Sequence, residues 1–257
     1  MRIEEYIPSG ILKPFIKSYR IIESRHELVN RVVPSTSFAL VFRFRGQISY
    51  INQASITTLP GTIFSGLRKS VRLINYAADT GAFIVLFNDT GASAFFRYPL
   101  HELYEESVSL DNFFPQSEIL MVEDQIGSTE NNRTKIDIIE RFLYSKLICQ
   151  KPDHLVSQAI AKIYANNGMI RMRDLAADLY ISQDAFEKRF RKVTGTTPKQ
   201  FSSIVRMNAI IRQTPSSHSF LNLALENGYY DHSHFNKDFK LFTGQTPTKF
   251  FRSAVFW

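Results

Sequence analysis

Cysteine occurs once in 257 residues, as Cys149, which excludes an internal disulfide and any zinc site built on cysteine pairs. Long apolar runs are missing as well. The longest, Gly81 to Phe87, reads as a buried strand and falls far short of the ~18 residues of a membrane span. The opening Met1-Arg-Ile-Glu-Glu-Tyr6 carries acids where a secretion signal has basic and then apolar residues, so a cytoplasmic protein with no membrane partner is expected. There is no Ser/His/Asp constellation, no glycine-rich phosphate loop and no paired-carboxylate motif in a clear context. Catalysis, cofactors and metals are therefore not expected. What is present is a globular composition: 44% of residues are hydrophobic and Phe alone contributes 22, enough for the core of one large or two ordinary domains.

The net charge of +7 is unevenly spread. Residues 1–151 hold 17 Lys+Arg against 16 Asp+Glu, whereas residues 152–257 hold 14 against 8. An excess confined to one segment is what contact with a polyanion requires, although a solvated basic surface has the same composition.

From Val32 to about Phe87 the pattern is β. Phe38, Leu40, Phe42 and Phe44 alternate with Val41, Arg43 and Arg45, and further short strands are expected at Ile48–Ile51, Val71–Tyr76 and Ala82–Phe87, divided by Gly46-Gln47 and Pro60-Gly61. The Phe38/Leu40/Phe42/Phe44 stripe is open to three roles: core, ligand pocket or dimer seam. Asp89 or Thr90 is expected to cap a helix running through Phe96, and Ile136, Ile139, Leu143 and Leu147 predict a helix from Thr134 to Cys149, where the lone thiol is buried. Lys151-Pro152-Asp153 reads as a joint. The expected fold is thus α+β in two domains: residues 1–150 a small β-barrel or sandwich-like domain with flanking helices, residues 151–257 all-α.

The second part contains a repeat. Phe186-Glu-Lys-Arg-Phe-Arg-Lys-Val-Thr-Gly-Thr-Thr-Pro-Lys-Gln-Phe201 aligns with Phe235-Asn-Lys-Asp-Phe-Lys-Leu-Phe-Thr-Gly-Gln-Thr-Pro-Thr-Lys-Phe250 at eight of sixteen positions. Phe186/Phe190 and Phe235/Phe239 are spaced to bury one helix face, and Gly195 and Gly244 stand where a helix ends in a left-handed residue. Thr197-Pro198 and Thr246-Pro247 start new helices. Ahead of each copy lies a short helix, a turn and a cap, Ser182 or Asp231. Two helix-turn-helix motifs follow, at about 172–193 and 220–242. His232 and His234, two apart on a helix, point in opposing directions and do not form a metal site.

At Asp174-Leu-Ala176, Ser182, Phe186 with Phe190, Gly195-Thr-Thr-Pro198, Asn222-Leu-Ala-Leu-Glu-Asn-Gly-Tyr-Tyr-Asp-His-Ser-His-Phe235 and Thr243-Gly-Gln-Thr-Pro247 the sequence resembles the AraC/XylS family of bacterial transcription regulators, over about residues 155–252. Val33-Pro-Ser-Thr-Ser-Phe-Ala-Leu-Val-Phe42 and the segment Phe87–Phe96 are similar to the sensor domain that often precedes this module. The resemblance implies seven helices, with a strut from Pro198 to about Arg212, roughly 22 Å long, holding two recognition helices in major grooves one turn (~34 Å) apart. It places Asp184, Glu187 and Lys188 at base-reading positions. Gln183 is on the same face, and Arg191 and Lys192 are expected at phosphates. In the second motif it places His232, Ser233, His234 and Lys237 in the groove and Asn236 at the backbone. Two features depart from the family: the acids Asp184 and Glu187, and Pro215-Ser216-Ser217 in the connection to the second motif.

The implied function is a cytoplasmic, DNA-binding transcriptional regulator, with double-stranded DNA as partner and a contact to RNA polymerase if it is an activator. A small-molecule effector and a homodimer are open, and no effector site is assigned; Arg43, Arg45 and Arg72 are the cations that could hold an anion. Two alternatives compete. One is an enzyme domain with a basic targeting arm; the other is an interaction adaptor whose helical repeat no longer binds DNA, for which Asp184, Glu187 and Asp238 speak.

Overall fold

The structure is a computed structural model and describes residues 1–257 except 9, 53–54, 149–151, 214–219 and 253–257. Among the described residues the first half contains ten strands: β1 (Arg2–Tyr6), β2 (Ile16–Ser24), β3 (Leu28–Val32), β4 (Ala39–Arg45), β5 (Ile48–Asn52), β6 (Ser55–Thr58), β7 (Thr62–Ser65), β8 (Arg72–Tyr76), β9 (Thr80–Phe87) and β10 (Ser107–Ser109). They pair antiparallel in two sheets, one in the order β1-β2-β9-β4-β7-β10 and one in the order β3-β8-β5-β6. Neither sheet closes on itself, so the domain is an open, sandwich-like pair of sheets and not a barrel.

The six-stranded sheet is covered on both faces. One face packs on the other sheet through Ile22, Ile48, Tyr76 and Ala82. The opposite face carries Phe38, Leu40, Phe42, Phe64, Phe83, Val85 and Phe87 into the main core. There Leu40 lies between Phe64 and Val85 across the ladder, and Phe42 opposite Phe83. The stripe anticipated at Phe38, Leu40 and Phe42 is packed core, with Phe44 partly buried at its end. Phe64 is its hub: its ring stacks on Phe96 at 4.0 Å and Phe38 at 5.4 Å, and meets Phe87 and Phe113 edge-on. Phe64→Ala is expected to cost about 3–5 kcal/mol, read as a lower urea midpoint at unchanged m-value.

Two helices lie over this core, α1 (Gln116–Gly127) and α2 (Asn132–Lys146). The start of α2 is set by Asn131, whose side chain accepts from the Arg133 and Thr134 N–H groups. It ends three residues before Cys149, which lies outside the described residues, as does Lys151 of the expected joint. A helix through Phe96 does not form. Thr90 has α-like dihedrals (φ −109°, ψ −3°), so its hydroxyl caps nothing, and only the single turn Gly91–Ala94 follows. Asp89 is used elsewhere. Strands β1, β2 and β3 extend the sheets ahead of the β region expected from Val32.

The second half contains seven described helices: α3 (His154–Ala165), α4 (Met172–Asp178), α5 (Gln183–Thr194), α6 (Pro198–Arg212), α7 (Phe220–Glu226), α8 (His232–Thr243) and α9 (Pro247–Arg252). Pro215–Ser217 falls outside the described residues. No helix among the described residues is long and apolar enough to cross a membrane.

The two halves share one apolar core, which runs from the sheet through Phe95, Phe96 and Leu100 to Phe186, Phe190 and Phe201. Polar links cross the same seam. The Tyr164 hydroxyl is 2.9 Å from Thr36 Oγ1 and donates to Asp89 at 3.2 Å; Asn208 donates to the Pro34 carbonyl, and the Val71 N–H to the Leu241 carbonyl. Burial raises the pKa of Asp89, against the pull of its hydrogen bonds to Thr36 and Tyr164. A raised carboxyl pKa gives stability that is complete below the unfolded value of ~3.9 and lost as pH rises through the folded value. Asp89→Asn is therefore expected to melt above wild type at pH 7, and the gap should close as the pH is taken below ~3.9. An unchanging gap would contradict this.

Candidate nucleic-acid interface

Each helix-turn-helix is built by local rules that the repeat obeys twice. In the first, α4 stops when Tyr180 takes a left-handed conformation (φ +54°) and the Ile181 N–H returns to the Ala176 carbonyl. Ser182 then caps α5, its hydroxyl accepting from the Ala185 N–H at 3.3 Å. In the second, Gly228 is the left-handed residue (φ +76°), the Tyr229 N–H returns to the Ala224 carbonyl, and Asp231 caps α8 by accepting from the His234 N–H at 2.7 Å. Both α5 and α8 bury a Phe pair, Phe186/Phe190 and Phe235/Phe239. Both end alike. Thr194 and Thr243 donate to the carbonyl four residues back, and Gly195 (φ +71°) and Gly244 (φ +76°) form the left-handed caps. Between the motifs, Thr197 and Gln200 form a reciprocal capping box that starts α6.

With the Phe pairs turned inward, the other face of each helix is set in solvent. Gln183, Asp184, Glu187, Lys188, Arg191 and Lys192 are all exposed along α5. On α8, His232, Ser233, His234 and Lys237 are exposed, while Asn236 is half-buried with its amide 3.2 Å from His232 Nδ1. His234 leans back instead of out: its Nε2 is 3.4 Å from Asp238 and its ring meets Tyr229 edge-on. The two histidines thus point to different partners. Among the described residues, Lys188, Arg191, Lys192 and Lys237 form no ion pair. Their charge faces outward without an ion-pair partner: Lys188 and Lys237 at mid-helix, Arg191 and Lys192 in the last turn of α5, where the helix dipole favours cations.

Arg189 behaves differently. Its Nε bonds Asp153 at 2.7 Å, tying α5 to the cap of α3. Burial would raise the Asp153 carboxyl, but Arg189 and the Val156 N–H hold it below the ordinary range. Two tyrosines that sequence reasoning passed over stand at the rims of the motifs: Tyr180 and Tyr230, 99% and 94% exposed, just ahead of the caps of α5 and α8. A bulky aromatic in the turn just ahead of a helix cap is the signal that marks them.

The C-terminal ends of the same two helices are docked on the first domain. A side chain on Gly195 would come within 2.5 Å of the Phe38 ring and 2.9 Å of the Leu100 carbonyl oxygen, and one on Gly244 within 3.1 Å of Val71. The outward faces of α5 and α8 lie in solvent while their C-terminal ends are held.

A family described as a helix-turn-helix domain matches residues 175–253, and a domain of unknown function (DUF6597) matches residues 4–109. No curated protein matches the sequence. Among solved structures, the chain is similar to an apo variant of ToxT from Vibrio cholerae at 9% identity and a TM-score of 0.46, covering 92% of this chain and 97% of that one. It is similar also to ToxT of the same organism with an unsaturated fatty acid bound, at 13% identity and a TM-score of 0.44, covering 92% and 96%. A probable AraC family transcriptional regulator from Rhodopseudomonas palustris is similar at 24% identity and a TM-score of 0.36, covering 40% of this chain and 98% of that one. The helical part of the chain thus matches a helix-turn-helix domain family, and the sheet-rich part ahead of it matches a domain family of unknown function.

Proposed function

We propose that the chain is a sequence-specific transcriptional regulator in which residues 151–257 read DNA and residues 1–150 receive the controlling signal. In this reading α5 and α8 enter adjacent major grooves. Lys188 and Lys237 address base edges; Arg191 and Lys192 bind phosphates, and Asn236 approaches the backbone. Gln183, His232 and Ser233 complete the reading faces. His234 contributes from the side, as its hold on Asp238 permits. Asp184 and Glu187 repel phosphate and accept from a cytosine amine, which makes them agents of discrimination and not of affinity. Tyr180 and Tyr230 flank the grooves at the sugar-phosphate wall.

The observation that carries this reading is the doubled helix face: two capped helices with outward cations that form no described ion pair, and one unbroken helix, α6, between them in the chain. The docking of both recognition helices at Gly195 and Gly244 supplies a route for control, because a change in the first domain reaches both at once. A cleft of about 530 Å³ lies over the seam, lined by Lys17 and Asp89 on one side and Tyr164, Asn208 and Arg212 on the other.

The test is hydroxyl-radical footprinting of the full-length protein on DNA flanking its own gene. Two protected patches about 10 bp apart on one face of the duplex are expected. Continuous or absent protection would refute the two-groove arrangement. In the same assay Asp184→Asn with Glu187→Gln is expected to raise affinity for scrambled duplex, since two phosphate-repelling charges are gone.

A further inference from the structure

We propose that the first domain contains an oxyanion-binding site centred on Arg68 and Arg72, at the seam between its two sheets, which takes a small ligand bearing a carboxylate or phosphate group. Arg68 is only 9% exposed. Its Nη2 donates to Ser65 at 2.7 Å and to Ser107 at 3.4 Å, but its Nη1 is buried with no hydrogen-bond partner. Arg72 stands beside it on β8, donating to Ser107 Oγ at 3.2 Å and to the Glu105 carbonyl at 3.1 Å, with its guanidinium 4.1 Å above the Tyr50 ring. Among the described residues neither arginine forms an ion pair.

Two neighbouring guanidiniums, one of them buried, are costly to hold without a counter-charge. The groups hydrogen-bonded to them are neutral: the hydroxyls of Ser65, Ser107 and Tyr50, linked to one another at 2.8–2.9 Å, and one carbonyl; the nearby Glu105 carboxylate accepts from the Lys69 N–H at 2.6 Å and pairs with neither arginine. The cluster has a surplus of N–H donors and too few acceptors, the deficit that an oxyanion fills through a fork of charge-assisted bonds. The local field has the same sign. Burial alone would raise the Tyr50 phenol, yet its Ser107 hydrogen bond and the two arginine charges bring it below its ordinary value. Arg68 itself is lowered, by burial and then by Arg72.

Tyr50, Arg72 and Ser107 are half-buried, so the cluster is reached from solvent on their side. It is also adjacent to the second motif. Val71, next to Arg72 in the chain, is the residue whose N–H bonds the Leu241 carbonyl at the end of α8. Any effect of the anion on DNA reading rests on the function proposed above; its binding does not, and is measured without DNA.

Thermal melts of the full-length protein in rising inorganic phosphate, and separately in rising acetate, at ionic strength fixed with sodium chloride, test the site. A saturable rise in Tm with at least one anion is expected. Arg72→Gln should move its half-point upward by about tenfold or more, the worth of one charge-assisted bond. Lys69→Gln, which changes an exposed neighbouring charge, should leave the curve in place. A response to phosphate alone assigns a phosphoryl ligand, and to acetate alone a carboxylate. No rise with either anion, or an equal rise in Arg72→Gln, as when phosphate merely coats the basic helices, would overturn the proposal. Arg72→Gln is chosen over Arg68→Met because the buried position risks the fold.

Discussion

Replacing Gly195 with valine is expected to destabilise the protein by roughly 3–5 kcal/mol, a large part of the ~5–15 kcal/mol that holds a domain together. Two costs coincide at this residue. Its φ of +71° lies in the left-handed region, where an L side chain costs about 1–2 kcal/mol and a β-branched one more. Its Cβ would also sit 2.5 Å from the Phe38 ring and 2.9 Å from the Leu100 carbonyl oxygen, so the docking of α5 on the first domain must open. Gly228→Ala separates the two costs. Gly228 shares the backbone conformation (φ +76°), but its nearest neighbour, Met169, is 3.8 Å away, so only about 1–2 kcal/mol should be lost. Urea unfolding of both variants decides the matter. A Gly195→Val variant as stable as Gly228→Ala would mean that the seam yields freely and does not hold the recognition helices.

Lys188→Ala combined with Lys237→Ala is expected to lower affinity for the cognate site by about thirtyfold or more, since each contact to a base edge or phosphate is worth ~1–3 kcal/mol. Both lysines are exposed and outside every described ion pair, so the double variant should melt with the wild type, and the loss is then a loss of contact and not of fold. Salt separates the two kinds of contact. If the lysines meet phosphate, the slope of log K against log salt falls by about one per residue. If they meet bases, the slope holds and discrimination against scrambled duplex shrinks instead. Unchanged affinity in the double variant would favour an adaptor whose helical repeat has left DNA.

The helical half was legible in the sequence because its determinants are local. Ser182, Asp231, Gly195 and Gly244 act within one turn of their own position, and Phe186/Phe190 and Phe235/Phe239 mark the buried faces by spacing alone. The strut from Pro198 to Arg212 has its expected bounds, for the Thr197–Gln200 box is also local. The first strands were not legible. In β2, Tyr19 and Ile21 face the main core while Ile22 faces the second sheet, so burial on both sides erases the two-residue rhythm that identified β4. The helix expected after Asp89 failed because that carboxyl is held across the seam by Tyr164, 75 residues away, a partner no spacing rule supplies. The continuity of core between the halves was hidden for the same reason. So was the Arg68 cluster, which four separate segments assemble; of its members only Arg72 stood out as a cation that could hold an anion.

Sequence-selective DNA binding is tested most directly by one titration. The full-length protein, whose halves share a core, is titrated with DNA flanking its own gene at two salt concentrations, with scrambled duplex as competitor. Tight binding that weakens with salt yet survives the competitor is expected, as base contacts made on top of phosphate contacts require. Binding that vanishes at the higher salt and is displaced equally by scrambled duplex would show that the basic face is only electrostatic, and would contradict a sequence-reading regulator.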